Sequence, residues 1–363
     1  MIATSSLLVS AMVHPERMCE LDLAGWDLLV RQARISQLLP RLATRVEESG
    51  LNGRIPAAPL RHLLAARELQ QRQRQAVRWE VAHLTEALAA RGVRALLLKG
   101  AAYEMAGLPP ARCRLFSDID ILVPRAQLDA AEMALMMHGW VSSHLDAYDQ
   151  RYYRRWMHEL PPMRHLTRHS VIDIHHNLVP DTAPIHPDPG KLLAAARPCP
   201  DAPDVWVLSD LDLILHSAVH LFNDGEFDHA LRDLLDIDEL TRHLLPTPAH
   251  WLALVERARE LDLSRPLFYA VRYLQRVLGR DIPTEVQIAA DAAGPVGPLR
   301  PLMDAVFERG LQPDHASCSG SCTRAARFGL YLRGHFLRMP LHLLLPHLVR
   351  KAWMRNESVQ KRE

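Results

Sequence analysis

Apolar residues recur at helical spacing over residues 20–91 and again from Ser209 onward, and between these flanks the pattern changes. From Gly92 to about residue 180 come short runs of β character, at 93–98, 119–123, 140–143, 163–166 and 170–175. Runs this short, bounded by Gly and turn residues, read as strands. The segregation predicts an α+β fold, with a small mixed sheet between N-terminal helices and a C-terminal helical domain. The expected boundaries are 1–91 for the N-terminal helical segment, 92–205 for the core and 206–363 for the C-terminal domain. Helices are expected near 124–138, 210–222, 229–245, 249–261, 264–279 and 323–355. The Pro-rich stretch 180–204 reads as a linker or long loop, the Gln/Arg-rich run 67–78 as a solvated helix face, and 152–158 is ambiguous.

The chain has 363 residues, 48% hydrophobic and 23% charged, the composition of a soluble globular protein. Its formal net charge of +1 gives no global attraction to nucleic acid or acidic membrane. No run is long and apolar enough to span a bilayer. Residues 1–13 lack a basic leader and read as mature protein. Five scattered cysteines fit a reducing cytoplasm. His315, Cys318 and Cys322 lack a fourth ligand at usable spacing, so that stretch reads as a loop.

Within the β region, Arg114-Leu-Phe-Ser117-Asp118-Ile-Asp120-Ile-Leu-Val123 carries the chemistry. Residues two apart on a strand share a face, so Asp118 and Asp120 project side by side. Two carboxylates that close need a cation or a shared proton. Paired hard oxygens suit Mg²⁺ with substrate phosphates, which points to metal-assisted phosphoryl or nucleotidyl transfer. Asp-x-Asp occurs three times, at 118/120, 210/212 and 236/238. Ser209-Asp210 reads as a helix cap with acidic first-turn residues. Asp236 and Asp238 lie in a helical run, where such neighbours diverge.

A second motif, Val171-Ile-Asp173-Ile-His175, places Asp173 and His175 on one strand face. If its strand lies beside 119–123, Asp173 joins the pair in a three-carboxylate cluster able to hold divalent ions. Only four of the 43 basic residues are lysine, and Lys99 alone ends a strand-like run, followed by Gly100. That turn suits phosphate binding; a lysine reaching to solvent is the other reading.

The segments Leu96-Leu-Leu-Lys99-Gly100-Ala-Ala, Arg114 to Val123 and Val171 to His175, together with His138-Gly139-Trp140, resemble the uncharacterised nucleotidyltransferase-like family of the polymerase-β superfamily. The resemblance covers roughly residues 90–240 and reaches weakly to His216, His220 and Leu231-Arg-Asp233-Leu. It implies a polymerase-β-like nucleotidyltransferase core, Mg²⁺ (or Mn²⁺) on Asp118, Asp120 and Asp173, and a nucleoside triphosphate as co-substrate. The superfamily's usual Gly-Ser turn is replaced by Lys99-Gly100-Ala-Ala, so Lys99, Gly100, Arg114 and Ser117 are the candidates for phosphate binding. His175, His216, His220 and Asp233 are candidates for the substrate cleft, with helix or strand packing as their alternative. Arg151 to Trp156 forms a basic-aromatic cluster that either meets a substrate or is a solvated helix. The acceptor is a small molecule, peptide or protein, RNA being disfavoured by the charge. The alternative is a catalytically weak relative that binds a nucleotide or a partner.

Overall fold

The computed structural model describes residues 6–142, 147–225 and 227–339. The continuation of the last helix to residue 355 lies outside them, as do the side chains of Arg151 and Arg155.

Helices α1 (Leu7–Val13), α2 (Leu23–Ile35), α3 (Leu39–Glu48) and α4 (Ala57–Ala89) build the N-terminal part. The 33-residue α4 is rich in Ala, Leu, Gln and Arg, all strong helix formers. Its run 67–78 is less solvated than the sequence predicts. Gln70 is buried and donates to the Ala111 carbonyl at 2.7 Å, and Arg74 and Arg78 both pair with the buried Glu104.

The strands are β1 (Leu96–Leu97), β2 (Ile119–Leu122), β3 (Trp140–Ser142), β4 (Met163–His165), β5 (Val171–His175), β6 (Arg197–Cys199) and β7 (Ala202–Val207). They form one mixed sheet in the order β3-β4-β5-β2-β1-β7-β6. Between them lie α5 (Lys99–Met105), α6 (Leu128–Met137), α7 (Ala147–Trp156) and α8 (Pro189–Ala195). The ambiguous 152–158 thus begins in a helix. The Pro-rich stretch expected as a linker instead supplies α8, β6 and β7, and β7 pairs in parallel with β1. Gly139 closes the turn into β3 at φ +94°, where a Cβ would sit 3.0 Å from His165 Nε2; a side chain there is strained as well as crowded.

The chain then continues through α9 (Asp210–Asn223), α10 (Ala230–Leu244), α11 (Pro248–Glu260), α12 (Ser264–Leu278), α13 (Thr284–Asp291), α14 (Leu299–Gly310) and α15 (Ser321–Arg338). Ser209 caps α9, its side chain accepting from the Asp212 backbone N–H. One apolar core runs from Leu8 to Leu330 and joins both helical flanks to the sheet. No helix among the described residues is long and apolar enough to cross a membrane.

Candidate active site

β2 and β5 are parallel neighbours, and their register sets Asp120 directly beside Asp173. The alternation explains which way these acids face. Ile119, Ile121, Ile172 and Ile174 are buried in the core, so the residues between them turn to the opposite face of the sheet. Asp118 lies one residue before β2 rather than on it. It is half-buried and accepts a hydrogen bond from Ser117 Oγ at 2.8 Å. Asp120 is buried, and Asp173 is half-buried with Oδ1 lacking any hydrogen-bond partner.

The central carboxylate is already neutralised. Lys99 Nζ and His175 Nε2 each lie 3.0 Å from Asp120 Oδ1. Burial pushes the Asp120 carboxyl up, but the Lys99 ammonium and the His175 hydrogen bond outweigh it and hold it well below the usual carboxylate range. Burial likewise pulls Lys99 down, and the charges of Asp120, Asp224 and Asp118 more than restore it. Asp173 is different: burial, and then the neighbouring Asp120 charge, push it up to about 7. Lys99 has φ +46° at the start of α5, a left-handed conformation uncommon for a non-glycine residue. Gly100 follows in close quarters, since a Cβ there would meet the Phe116 ring at 3.1 Å and Arg114 Nε at 3.2 Å.

α9 and α10 bring further titratable groups to this cluster. His216 is buried with Nδ1 unpartnered, and burial and then the Lys99 charge push it down to about 3. His220 Nδ1 lies 2.6 Å from Asp224 Oδ2, and its Nε2 lies 3.7 Å from Asp233 Oδ2. Asp233 also accepts from Arg232 Nε at 2.9 Å. The i, i+4 spacing of His216 and His220 therefore serves two separate sets of neighbours.

Arg114, a candidate for phosphate binding, is engaged by carboxylates of α10. It is buried and paired with Asp236 and, at 3.4 Å, with Asp233, beneath the Tyr103 ring. Its charge is paired inside the fold, where it holds α10 against the loop before β2, while its Nε edge lies against the Gly100 turn. In the basic-aromatic cluster, Arg154 pairs with Glu132 at 2.7 Å, and the Tyr152 ring packs against Tyr153 and Trp156. Asp224, His158 and Glu159 were not singled out by sequence reasoning. Glu159 Oε2 lies 3.3 Å from His175 Nδ1. The only sequence signal of His158 and Glu159 is the pair itself, ahead of Leu160-Pro-Pro, and its meaning depends on the strand it meets.

A cleft of about 280 Å³ opens beside Asp118, walled by Gln73, Trp79, Phe116, Arg168 and Val171. The sheet with its carboxylates and the helices around it match one family model over residues 22–279, and the chain belongs to that family, the uncharacterised nucleotidyltransferases. The match is wider than the motifs alone indicate: it begins in the N-terminal helices and ends after α12. The class of reaction that the family name carries is the transfer of nucleotide groups. Comparison with curated proteins finds no match.

Proposed function

We propose that the protein transfers a nucleoside monophosphate from a nucleoside triphosphate to an acceptor hydroxyl, on a polymerase-β-type core and with a divalent ion, Mg²⁺ or Mn²⁺: the acceptor oxygen bonds to the α-phosphorus as the bond from that phosphorus to the bridging oxygen breaks and pyrophosphate leaves. The observation that carries this reading is the Asp120/Asp173 register, with an unpartnered Asp173 oxygen. Asp118, Asp120 and Asp173 offer the hard oxygen donors such an ion takes. When bound, the ion neutralises charge on the triphosphate.

This chain's own residues do the rest. Ser117 orients Asp118. Lys99 neutralises Asp120 in the free protein and, with Gly100, meets the phosphates when substrate is present. Asp173, raised to about 7 in the ion-free protein, completes the oxygen set and is placed to take the acceptor's proton. His175 steadies Asp120, while His216, His220 and Asp233 wall the acceptor side. The Phe116 and Trp79 rings at the cleft suit a planar group. The acceptor is a small molecule, peptide or protein. Five unpaired cysteines suit a reducing cytoplasm.

A second reading is nucleotide binding without turnover. It is favoured by one observation, that two donors already converge on Asp120 Oδ1. The test uses the full chain with each α-labelled nucleoside triphosphate, Mg²⁺ and a cell lysate. Label moves into one acceptor fraction with the wild type, and Asp118→Ala and Asp173→Asn lower this by about 10²-fold or more. Mg²⁺-dependent triphosphate binding with no transfer supports the second reading. The absence of both binding and transfer would falsify the two together.

A further inference from the structure

Next to the oxygen cluster, but outside it, lies a second set of donors. Residues 158–160 run antiparallel to the end of β5. The His176 backbone N–H donates to the His158 carbonyl, and the Leu160 N–H to the Ile174 carbonyl, each at 2.8 Å. These two bonds bracket the bridge between Glu159 and His175. They make it a non-hydrogen-bonded pair, the kind whose side chains approach most closely. The His158 and His175 rings lie 5.3 Å apart between centroids. One donor atom from each of His158, Glu159 and His175 lies within 4.8 Å of the others.

We propose that His158, Glu159 and His175 form a metal site for a divalent transition ion of borderline softness, Zn²⁺ or one like it, distinct from the three aspartates. The donor set is the first argument. Two imidazoles and one carboxylate suit such ions, whereas Mg²⁺ prefers all-oxygen surroundings. Three protein ligands are also the number that leaves an exchangeable position on zinc.

The second argument is an unsatisfied atom. His158 is 8% exposed, and its Nδ1 has no hydrogen-bond partner. A buried polar atom left that way is costly, and an ion held on that nitrogen would remove the cost.

The third is the far side of His175. Its Nε2 sits 3.0 Å from Asp120 Oδ1. A metal-bound imidazole ordinarily gives its other ring N–H to a carboxylate or carbonyl. On the other edge of the ring, Nδ1 faces Glu159 Oε2 at 3.3 Å. Donors about 2.0–2.1 Å from a tetrahedral zinc are themselves about 3.3 Å apart, so this pair is already at coordination spacing. His158 has to close in by a further ångström or so. The competing arrangement is a second proton, which makes His175 an imidazolium held between two carboxylates.

Cobalt separates the two arrangements. Full-length protein stripped of metal by a chelator is titrated with Co²⁺, without nucleotide, and its visible ligand-field bands are followed. One equivalent binds with bands shifted from those of aqueous Co²⁺, and Zn²⁺ bleaches them by displacement. His158→Gln and Glu159→Gln each weaken Co²⁺ binding about 100-fold, and Asp120→Asn, which removes the supporting carboxylate, about 10-fold. Asp118→Ala combined with Asp173→Asn leaves the bands in place. Far-UV circular dichroism checks folding. If His158→Gln does not fold, Glu159→Gln decides alone, because that side chain is already 22% exposed. An unshifted wild-type spectrum overturns the proposal, as do bands lost in the Asp118/Asp173 variant but kept in the His158 and Glu159 variants. The readout needs no triphosphate, so its failure and a failure of nucleotidyl transfer remain distinguishable.

Discussion

Lys99 carries two constraints at once. Its backbone at φ +46° costs a side-chain-bearing residue about 1 kcal/mol, and its ammonium is fixed 3.0 Å from the buried Asp120. The position tolerates the strain because the strand-to-helix turn delivers the charge where the carboxylates converge. Two substitutions separate these effects. Lys99→Met keeps the strain and removes the charge, leaving Asp120 with His175 alone; breaking such a pair costs about 3 kcal/mol. Lys99→Gly removes the charge as well but relieves the backbone, so it recovers about 1 kcal/mol relative to Lys99→Met. On the proposed function a divalent ion on the aspartates would supply the missing positive charge, so Mg²⁺ raises the Tm of both variants more than that of the wild type. Thermal unfolding with Mg²⁺ and with EDTA measures this, and equal shifts in all three proteins would remove Lys99 as the stand-in counter-charge.

At the scale of elements, α4 is fastened to the β4–β5 hairpin by one part-buried cluster around the buried Glu80. Arg168 donates to both Glu80 oxygens at 2.8 and 2.9 Å, and Ser170 Oγ donates to Glu80 at 2.6 Å. The Arg168 guanidinium also lies 4.7 Å from the Trp140 ring centroid. Burial pushes Glu80 up, but the Arg168 and Ser170 hydrogen bonds outweigh it and hold its carboxyl below the ordinary value. A depressed folded pKa means that the stabilisation is complete above the unfolded value of about 4.3 and is lost as pH falls through the folded one. Glu80→Gln therefore unfolds more easily at pH 7, by about 3 kcal/mol, and its deficit shrinks as the buffer is taken below about pH 4. Urea titrations of both proteins across that range check the sign. A deficit that is constant with pH would mean that packing, not charge, fastens the hairpin. The sequence shows β2 and β5 because Ile alternates with Asp and His at the strand period. It hides β7, where Pro203 and Asp204 lower strand propensity and pairing with β1 supplies the missing preference. Glu80 and Arg168 are 88 residues apart, and Glu159 gains its meaning only from its bridge to His175. Arg114 shows the same limit: its partners Asp233 and Asp236 lie 119 and 122 residues further along the chain, on α10, and no local pattern announces them.

Across the whole molecule, Asp236 joins the regions that the sequence separates. From α10 it pairs with Arg41 of α3 and with Arg114 of the loop before β2, all three being buried. Segments 1–91, 92–205 and 206–363 are thus proposed as units of one cooperative body, meeting through these charges and through the continuous apolar core. Asp236→Ala leaves Arg41 with Glu239 at 3.3 Å and Arg114 with Asp233 at 3.4 Å, each the longer of its two contacts. Two guanidinium groups then lose their closest partner in a dry interior, a loss of about 3–5 kcal/mol. Because the charge cluster touches all three segments, the loss falls on the whole fold at once. Guanidinium unfolding followed by tryptophan fluorescence and by far-UV circular dichroism shows a lower midpoint, with an unchanged slope and coincident curves. Two separated transitions, one of them at the wild-type midpoint, would show instead that the segments stand independently and that Asp236 serves only the interface it occupies.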